Sequence, residues 1–239
     1  MLFNTYSRRS FLKHTALGLT GSLLAAGNLS PSLLAQQAAA LQRDFTVWEK
    51  EISAFEQSDR TKLPPQKALV FTGSSTIRRW TTMAQDLPNY KVINRGFGGS
   101  QIVDATHFAD RIIIPYQPKM VLLRSGGNDI FAGKPPEQVF QDFKDFVAKI
   151  HSKLPKTEIV YIALSPSVAR WNNADKEKSL NLMVLGFTKK NKRVKYLDDA
   201  DVSLGKDGKP RPELFVEDKL HFNAEGNKLF AERVRKFLK

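Results

Sequence analysis

The chain has 239 residues, 41% of them hydrophobic and 16 of them Phe, which suits one domain with a sizeable core and argues against wholesale disorder. It contains no cysteine, which excludes disulfides, thiolate metal sites, a Cys nucleophile and a lipid-anchored N-terminal Cys. The formal charge of +13 favours acidic partners such as anionic polysaccharide, phospholipid headgroups or nucleic acid.

Residues 1–35 carry part of that charge. Ser7-Arg8-Arg9-Ser10-Phe11-Leu12-Lys13 precedes a mildly apolar run, Ala16 to Ala26, and then Leu33-Leu34-Ala35. A basic start, a short apolar stretch and small residues at its end read as an export signal, cleaved near 35–40 and too short to span a membrane comfortably. The paired arginines followed by Phe-Leu-Lys are similar to a bacterial twin-arginine signal. A basic amphipathic helix fits worse, because Gly18, Gly21 and Gly27 interrupt it. The expected location is therefore exported, periplasmic or secreted, with no membrane span once the signal is removed and no nucleic acid as natural ligand. Its removal takes away Arg8, Arg9 and Lys13 and no acid, leaving 34 basic residues against 24 acidic and a net charge of +10. The one basic cluster, Lys189-Lys190-Asn191-Lys192-Arg193, reads as the end of a helix, where cations suit the dipole.

The remainder, 41–239, reads as a single domain of alternating elements. Leu41 to Gln57 places Phe45, Trp48, Ile52 and Phe55 on one helical face. After Pro64-Pro65 the apolar run Ala68 to Phe71 predicts a buried strand that stops at Gly73-Ser74-Ser75 and turns into a helix. Lys91 to Asn94 predicts a second strand leading into Gly96-Phe97-Gly98-Gly99, and Met120 to Arg124 a third leading into Gly126-Gly127-Asn128-Asp129. Further helices are expected over Pro136–Leu154, Ala174–Lys190 and Ala224–Leu238, with strands at Glu158–Leu164 and Val194–Leu197. Strands alternating with helices imply about five parallel strands covered on both faces, a three-layer α/β/α sheet. No internal repeat or low-complexity tract interrupts the pattern.

Candidate chemistry clusters just after the strands, where open α/β sheets bind ligands. The first three loops carry Gly73-Ser74-Ser75, Gly98-Gly99 and Gly127-Asn128, and Asp218-Lys219-Leu220-His221 precedes the last helix. Each alone has a plain structural meaning: a capping serine, a tight turn, a helix cap, a local Asp–His pair. Together they offer what acyl transfer needs, because a serine requires a base to become nucleophilic and the base a carboxylate to hold its tautomer. Of four histidines, His14 lies in the signal, and His107 and His151 lie in helical segments. His221 has a carboxylate three residues earlier, at one-turn reach.

From about Gln42 to the end, these four blocks resemble in order and spacing the SGNH hydrolases, or GDSL esterase/lipase family. Ser74 stands where that family usually has the Asp of Gly-Asp-Ser, a variant similar to a bacterial acylhydrolase branch. The resemblance implies a flavodoxin-like fold and a cofactor-free serine esterase. It implies Ser75 as nucleophile, His221 as base and Asp218 as its orienting carboxylate. The oxyanion donors it implies are the Ser75 amide, the Gly99 amide and the Asn128 side chain, with a side chain at position 99 obstructing the approaching oxygen.

Other features are weaker. Arg95, Arg170 and Trp171 are candidates for lining a substrate cleft, Asp129 for bracing its loop and Arg124 for a buried structural cation. The run Asp198-Asp199-Ala200-Asp201 lacks the glycine and terminal Glu of a calcium loop and reads as solvated. No zinc spacing, phosphate loop or dinucleotide fingerprint occurs, so no metal and no cofactor is expected. The expected substrate is a small ester, with short-chain or carbohydrate O-acyl esters favoured. Lysophospholipase or thioesterase activity is the alternative within enzymes, and a non-catalytic module for anionic glycans the alternative outside them.

Overall fold

A computed structural model describes residues 43–239. The expected export signal, residues 1–35, and its expected cleavage region lie outside the described residues. Ahead of the sheet, a short 3₁₀ turn at Thr46–Trp48 leads into α1 (Glu49–Thr61), which starts later and runs further than the apolar spacing predicts. The indole of Trp48 donates to the Gly98 carbonyl at 2.8 Å, tying this segment to the loop after the second strand.

Five strands form one parallel sheet: β1 (Leu69–Gly73), β2 (Val92–Gly96), β3 (Met120–Arg124), β4 (Glu158–Ile162) and β5 (Val194–Leu197). Their order is β2-β1-β3-β4-β5, the flavodoxin-like arrangement. The chain therefore reverses direction across the sheet at β1, and the loops after β1, β2 and β3 emerge side by side. β1 and β2 extend to Gly73 and Gly96, beyond their apolar stretches, because Gly73 remains in register with Gly96 on one side and Arg124 on the other. β4 ends two residues before the apolar run does. The amide of Asn181 captures both the N–H and the carbonyl of Leu164, at 2.9 and 2.8 Å, and so directs the chain out of the sheet.

Side chains alternate across the sheet, as a strand period of two requires. Val70, Val121, Leu123, Ile159 and Tyr161 face one core with Ile52 of α1, Ile102, Ile112, Phe143 and Val184. Leu69, Phe71, Leu122, Val160 and Ile162 face the other with Ile77, Trp80, Met83, Phe230 and Val234. The first layer is supplied by α1, α4 (Ile102–His107), α5 (Ala109–Ile112), α7 (Pro136–Lys153) and α8 (Ala174–Thr188); the second by α2 (Ser75–Arg78), α3 (Met83–Asp86) and α9 (Ala224–Leu238). A five-residue helix, α6 (Gly127–Phe131), follows β3. Among the described residues no helix is long and apolar enough to cross a membrane.

Candidate active site

β1 delivers the first element. Its last residue, Gly73, has φ +125°, and a Cβ there would stand 2.1 Å from the Arg124 carbonyl of neighbouring β3. Only glycine lets the strand turn this tightly against its neighbour. The Gly73 carbonyl accepts from the Phe97 amide at 3.0 Å and from Ser100 Oγ at 3.2 Å, which anchors the loop after β2 to the turn after β1. Within that loop Gly99 is exposed, with φ +76° and nothing within 4 Å of a Cβ built on it. The glycine is required there by its backbone angle, not by crowding from the protein.

Two serines follow Gly73, and the structure separates their partners. Ser75 Oγ lies 2.8 Å from His221 Nε2, and His221 Nδ1 lies 2.7 Å from Asp218 Oδ2. Ser74 Oγ instead accepts from Asn128 Nδ2 at 2.6 Å, and the same nitrogen donates to the Ser100 carbonyl at 3.0 Å. Asn128 thus reaches from α6 to both neighbouring loops.

Asp218 and His221 share one tight turn, with Lys219 in the left-handed region at φ +55°. Asp218 Oδ1 accepts the amides of Leu220 and His221, both at 2.9 Å, so the turn itself aims the carboxylate. Burial alone would raise the Asp218 carboxyl, but hydrogen bonds from the His221 ring and from the two amides hold it well below the usual carboxylate range. The turn is fixed across the cleft by the Ala169 amide, which donates to the Lys219 carbonyl at 3.0 Å.

The cation next in sequence, Arg170, lines the cleft and donates from Nη1 to Asn128 Oδ1 at 2.8 Å, its guanidinium 4.1 Å from the centre of the Phe131 ring. Trp171 lies outside the cleft and lines an adjoining apolar cavity with Leu182 and Leu185. Arg95 does not line the cleft, contrary to expectation. It shares strand parity with Ile93 and Phe97, so it points into the α1 layer. There it pairs with Asp59, donates to the Tyr116 hydroxyl at 2.9 Å and stacks on Phe55 and Tyr116.

Three further residues support the loops. Arg124 is a buried cation paired with Asp199, donating also to the Ala163 carbonyl at 2.9 Å and Ser165 Oγ at 2.7 Å. Asp199 is 0% exposed, which corrects the solvated reading at that residue, while Asp198 and Asp201 of the same run are exposed. Asp129 is buried and accepts the Ile102 amide at 3.3 Å, with Lys134 at 3.4 Å. Burial pushes its carboxyl up to about 6, against the pull of Lys134. Among the described residues no group of three or more His, Cys, Asp or Glu is placed to hold a metal. His107 stacks on Phe45 and His151 bonds the Thr157 carbonyl, so neither joins the site.

Among the cleft residues that the sequence does not mark as candidates are Ser125 and Glu177. Glu177 sits on the inward face of α8 with Leu180, Asn181 and Val184. The signal that could have found it is that spacing, a carboxylate at i with buried partners at i+3, i+4 and i+7.

A hydroxyl, an imidazole and a carboxylate in hydrogen-bonded line, at the carboxyl edge of a parallel sheet, define a hydrolase of the serine type. The chain belongs to the GDSL-like lipase/acylhydrolase family, whose sequence profile matches residues 65–229, and with it to the serine ester hydrolases. No curated protein matches it in sequence. Among solved structures, a Streptococcus pneumonia protein carrying the name platelet activating factor is similar, at 16% identity and TM-score 0.72 over 88% of this chain and 100% of that one. A GDSL-like lipase from Bacteroides thetaiotaomicron aligns at 17% identity and TM-score 0.64, over 82% and 97% of the two chains. A catalytic mutant of an acetylxylan esterase from Geobacillus stearothermophilus aligns at 13% identity and TM-score 0.60, over 73% and 95%. At these identities the likeness is one of fold.

Proposed function

We propose that the protein hydrolyses a small carboxylic ester through an acyl-enzyme on Ser75. Ser75 Oγ attacks the carbonyl carbon while His221 Nε2 takes its proton, and Asp218 holds the imidazole in the tautomer that can accept it. Collapse of the tetrahedral intermediate breaks the carbon–oxygen bond, and His221 returns the proton to the leaving alcohol. Water repeats the sequence in reverse and frees the acid. The oxyanion takes hydrogen bonds from the backbone amides of Ser75 and Gly99 and from Asn128 Nδ2. Because that nitrogen already donates to Ser74 and Ser100, the oxyanion replaces one existing partner and meets an amide that is already oriented.

The observation that carries this reading is the pair of short contacts, 2.8 Å from Ser75 to His221 and 2.7 Å from His221 to Asp218. A cleft of about 80 Å³ suits a short acyl group such as acetyl. The fold likeness to an acetylxylan esterase supports a carbohydrate ester. The twin-arginine-like start fits export, where such esters are met. The test is hydrolysis of p-nitrophenyl esters from acetate to octanoate by the mature protein and by Ser75→Ala. Turnover of the short esters that vanishes in the variant supports the proposal; equal rates in both proteins overturn it.

A further inference from the structure

Most polar groups in the cleft have partners. Arg124 donates to Asp199, Ala163 and Ser165, and Arg170 to Asn128. Two groups differ. Glu177 is 6% exposed, and its Oε2 is buried without a hydrogen-bond partner. Ser125 is 2% exposed, and its Oγ is likewise buried and unpartnered. Both line the same cleft as Ser75 and His221. Oε1 of Glu177 lies 3.6 Å from where a Cβ on Gly127 would stand, at ordinary contact distance, which puts the carboxyl beside the residue that precedes Asn128.

A buried carboxyl without a hydrogen bond is costly, and a fold keeps one where something else completes it. In its ionised form the carboxyl accepts only, so the partner that completes it there is a donor. An anionic ligand is disfavoured by the carboxyl itself. A cationic one is disfavoured by Arg124 and Arg170, whose charges act on Glu177. A neutral hydroxyl meets neither objection. Ser125 Oγ, on the same cleft, can donate to or accept from a hydroxyl of the same ligand.

We propose that Glu177 and Ser125 form a hydroxyl-recognising subsite of the cleft, so that the preferred substrate is the ester of a sugar or other polyol with a free hydroxyl beside the acyl group. Glu177 here sets specificity and takes no proton from the reacting atoms. The inference rests on Ser75 being the esterase nucleophile.

The test compares glycerol 1-acetate with n-propyl acetate, which share acyl group and primary alcohol and differ in the neighbouring hydroxyls. The expected wild-type kcat/KM ratio favours glycerol acetate by about ten- to a hundredfold, the range for a hydrogen bond to a charged group. Glu177→Leu should bring that ratio close to one, and Ser125→Ala should lower it by less. Glu177→Gln preserves volume and one acceptor, so it should also lower the ratio, and it serves if the leucine variant does not unfold cooperatively on heating. A wild-type ratio near one, or a ratio unchanged in the folded Glu177 variants, overturns the subsite. Absence of turnover by the wild type on these esters and on p-nitrophenyl acetate instead overturns the esterase assignment of Ser75.

Discussion

Arg170 Nη1 lies 2.8 Å from Asn128 Oδ1, so the amide oxygen of Asn128 is held from one side while its nitrogen is turned toward the Ser74–Ser75 turn. Arg170 itself is kept in place by its stack on Phe131. It therefore orients the amide proposed as an oxyanion donor, and its removal should act on kcat more than on KM. Arg170→Met is expected to lower kcat by about tenfold or more, and Asn128→Ala by about 10²–10³. In the double variant the loss should be close to that of Asn128→Ala alone, since Arg170 works through Asn128. Fully additive losses in steady-state kinetics would mean that Arg170 acts on the substrate directly.

The line from Ser75 through His221 to Asp218 makes a second prediction. Ser75→Ala should reduce kcat by about 10⁶, and Asp218→Asn by as much as about 10⁴ through loss of the correct imidazole tautomer. Ser74→Ala should cost far less, because Ser74 contacts Asn128 and not His221. A Ser74 variant as inactive as the Ser75 variant would reverse the assignment of the nucleophile. Burst kinetics with p-nitrophenyl acetate would report the acyl-enzyme on the active proteins.

The sequence made most of this frame legible because its signals are local. Gly73-Ser74-Ser75 is a strand, a bend and a helix start within seven residues, and Asp218 meets His221 inside one turn. What was not legible depends on direction or on distant pairing. By composition the two serines at the bend are equivalent and only the family resemblance favours Ser75; they differ in what lies opposite each, Asn128 for Ser74 and His221 for Ser75. Arg95 reads as a candidate cleft cation just after the expected strand Lys91–Asn94, yet its parity with Ile93 and Phe97 assigns it to the α1 face. Asp199 reads as solvated because its run lacks the features of a calcium loop, and its partner Arg124 lies 75 residues away.

That buried pair carries a stability prediction. Arg124 is 6% exposed and Asp199 0%, so truncating the acid leaves a buried cation without its counter-charge. Asp199→Ala should destabilise the fold by about 3–5 kcal/mol, as for other broken buried pairs. Because Arg124 also holds Ala163 and Ser165 at the cleft wall, activity should fall together with stability. Urea denaturation at neutral pH measures the loss; a change under about 1 kcal/mol would mean that solvent reaches Arg124.

Glu177 supplies a prediction with the opposite sign. Burial pushes its carboxyl up from the ordinary 4.5 to about 7, against the charges of Arg124 and Arg170. A carboxyl whose folded value is raised is stabilising while protonated, below its unfolded value, and that contribution is lost as pH rises through the folded value. At pH 8 the wild type holds an ionised, desolvated carboxylate that Glu177→Gln lacks; near pH 4 both are neutral. The variant should therefore match the wild type at low pH and exceed it by up to about 3 kcal/mol at pH 8. The gap should open between about pH 4.5 and 7 and is read by thermal unfolding across that range. A gap constant with pH would show that Glu177 ionises in the fold as it does in the unfolded chain. A gap that opens and then closes on adding a saturating, slowly hydrolysed polyol ester would show the ligand's hydroxyl compensating the buried charge.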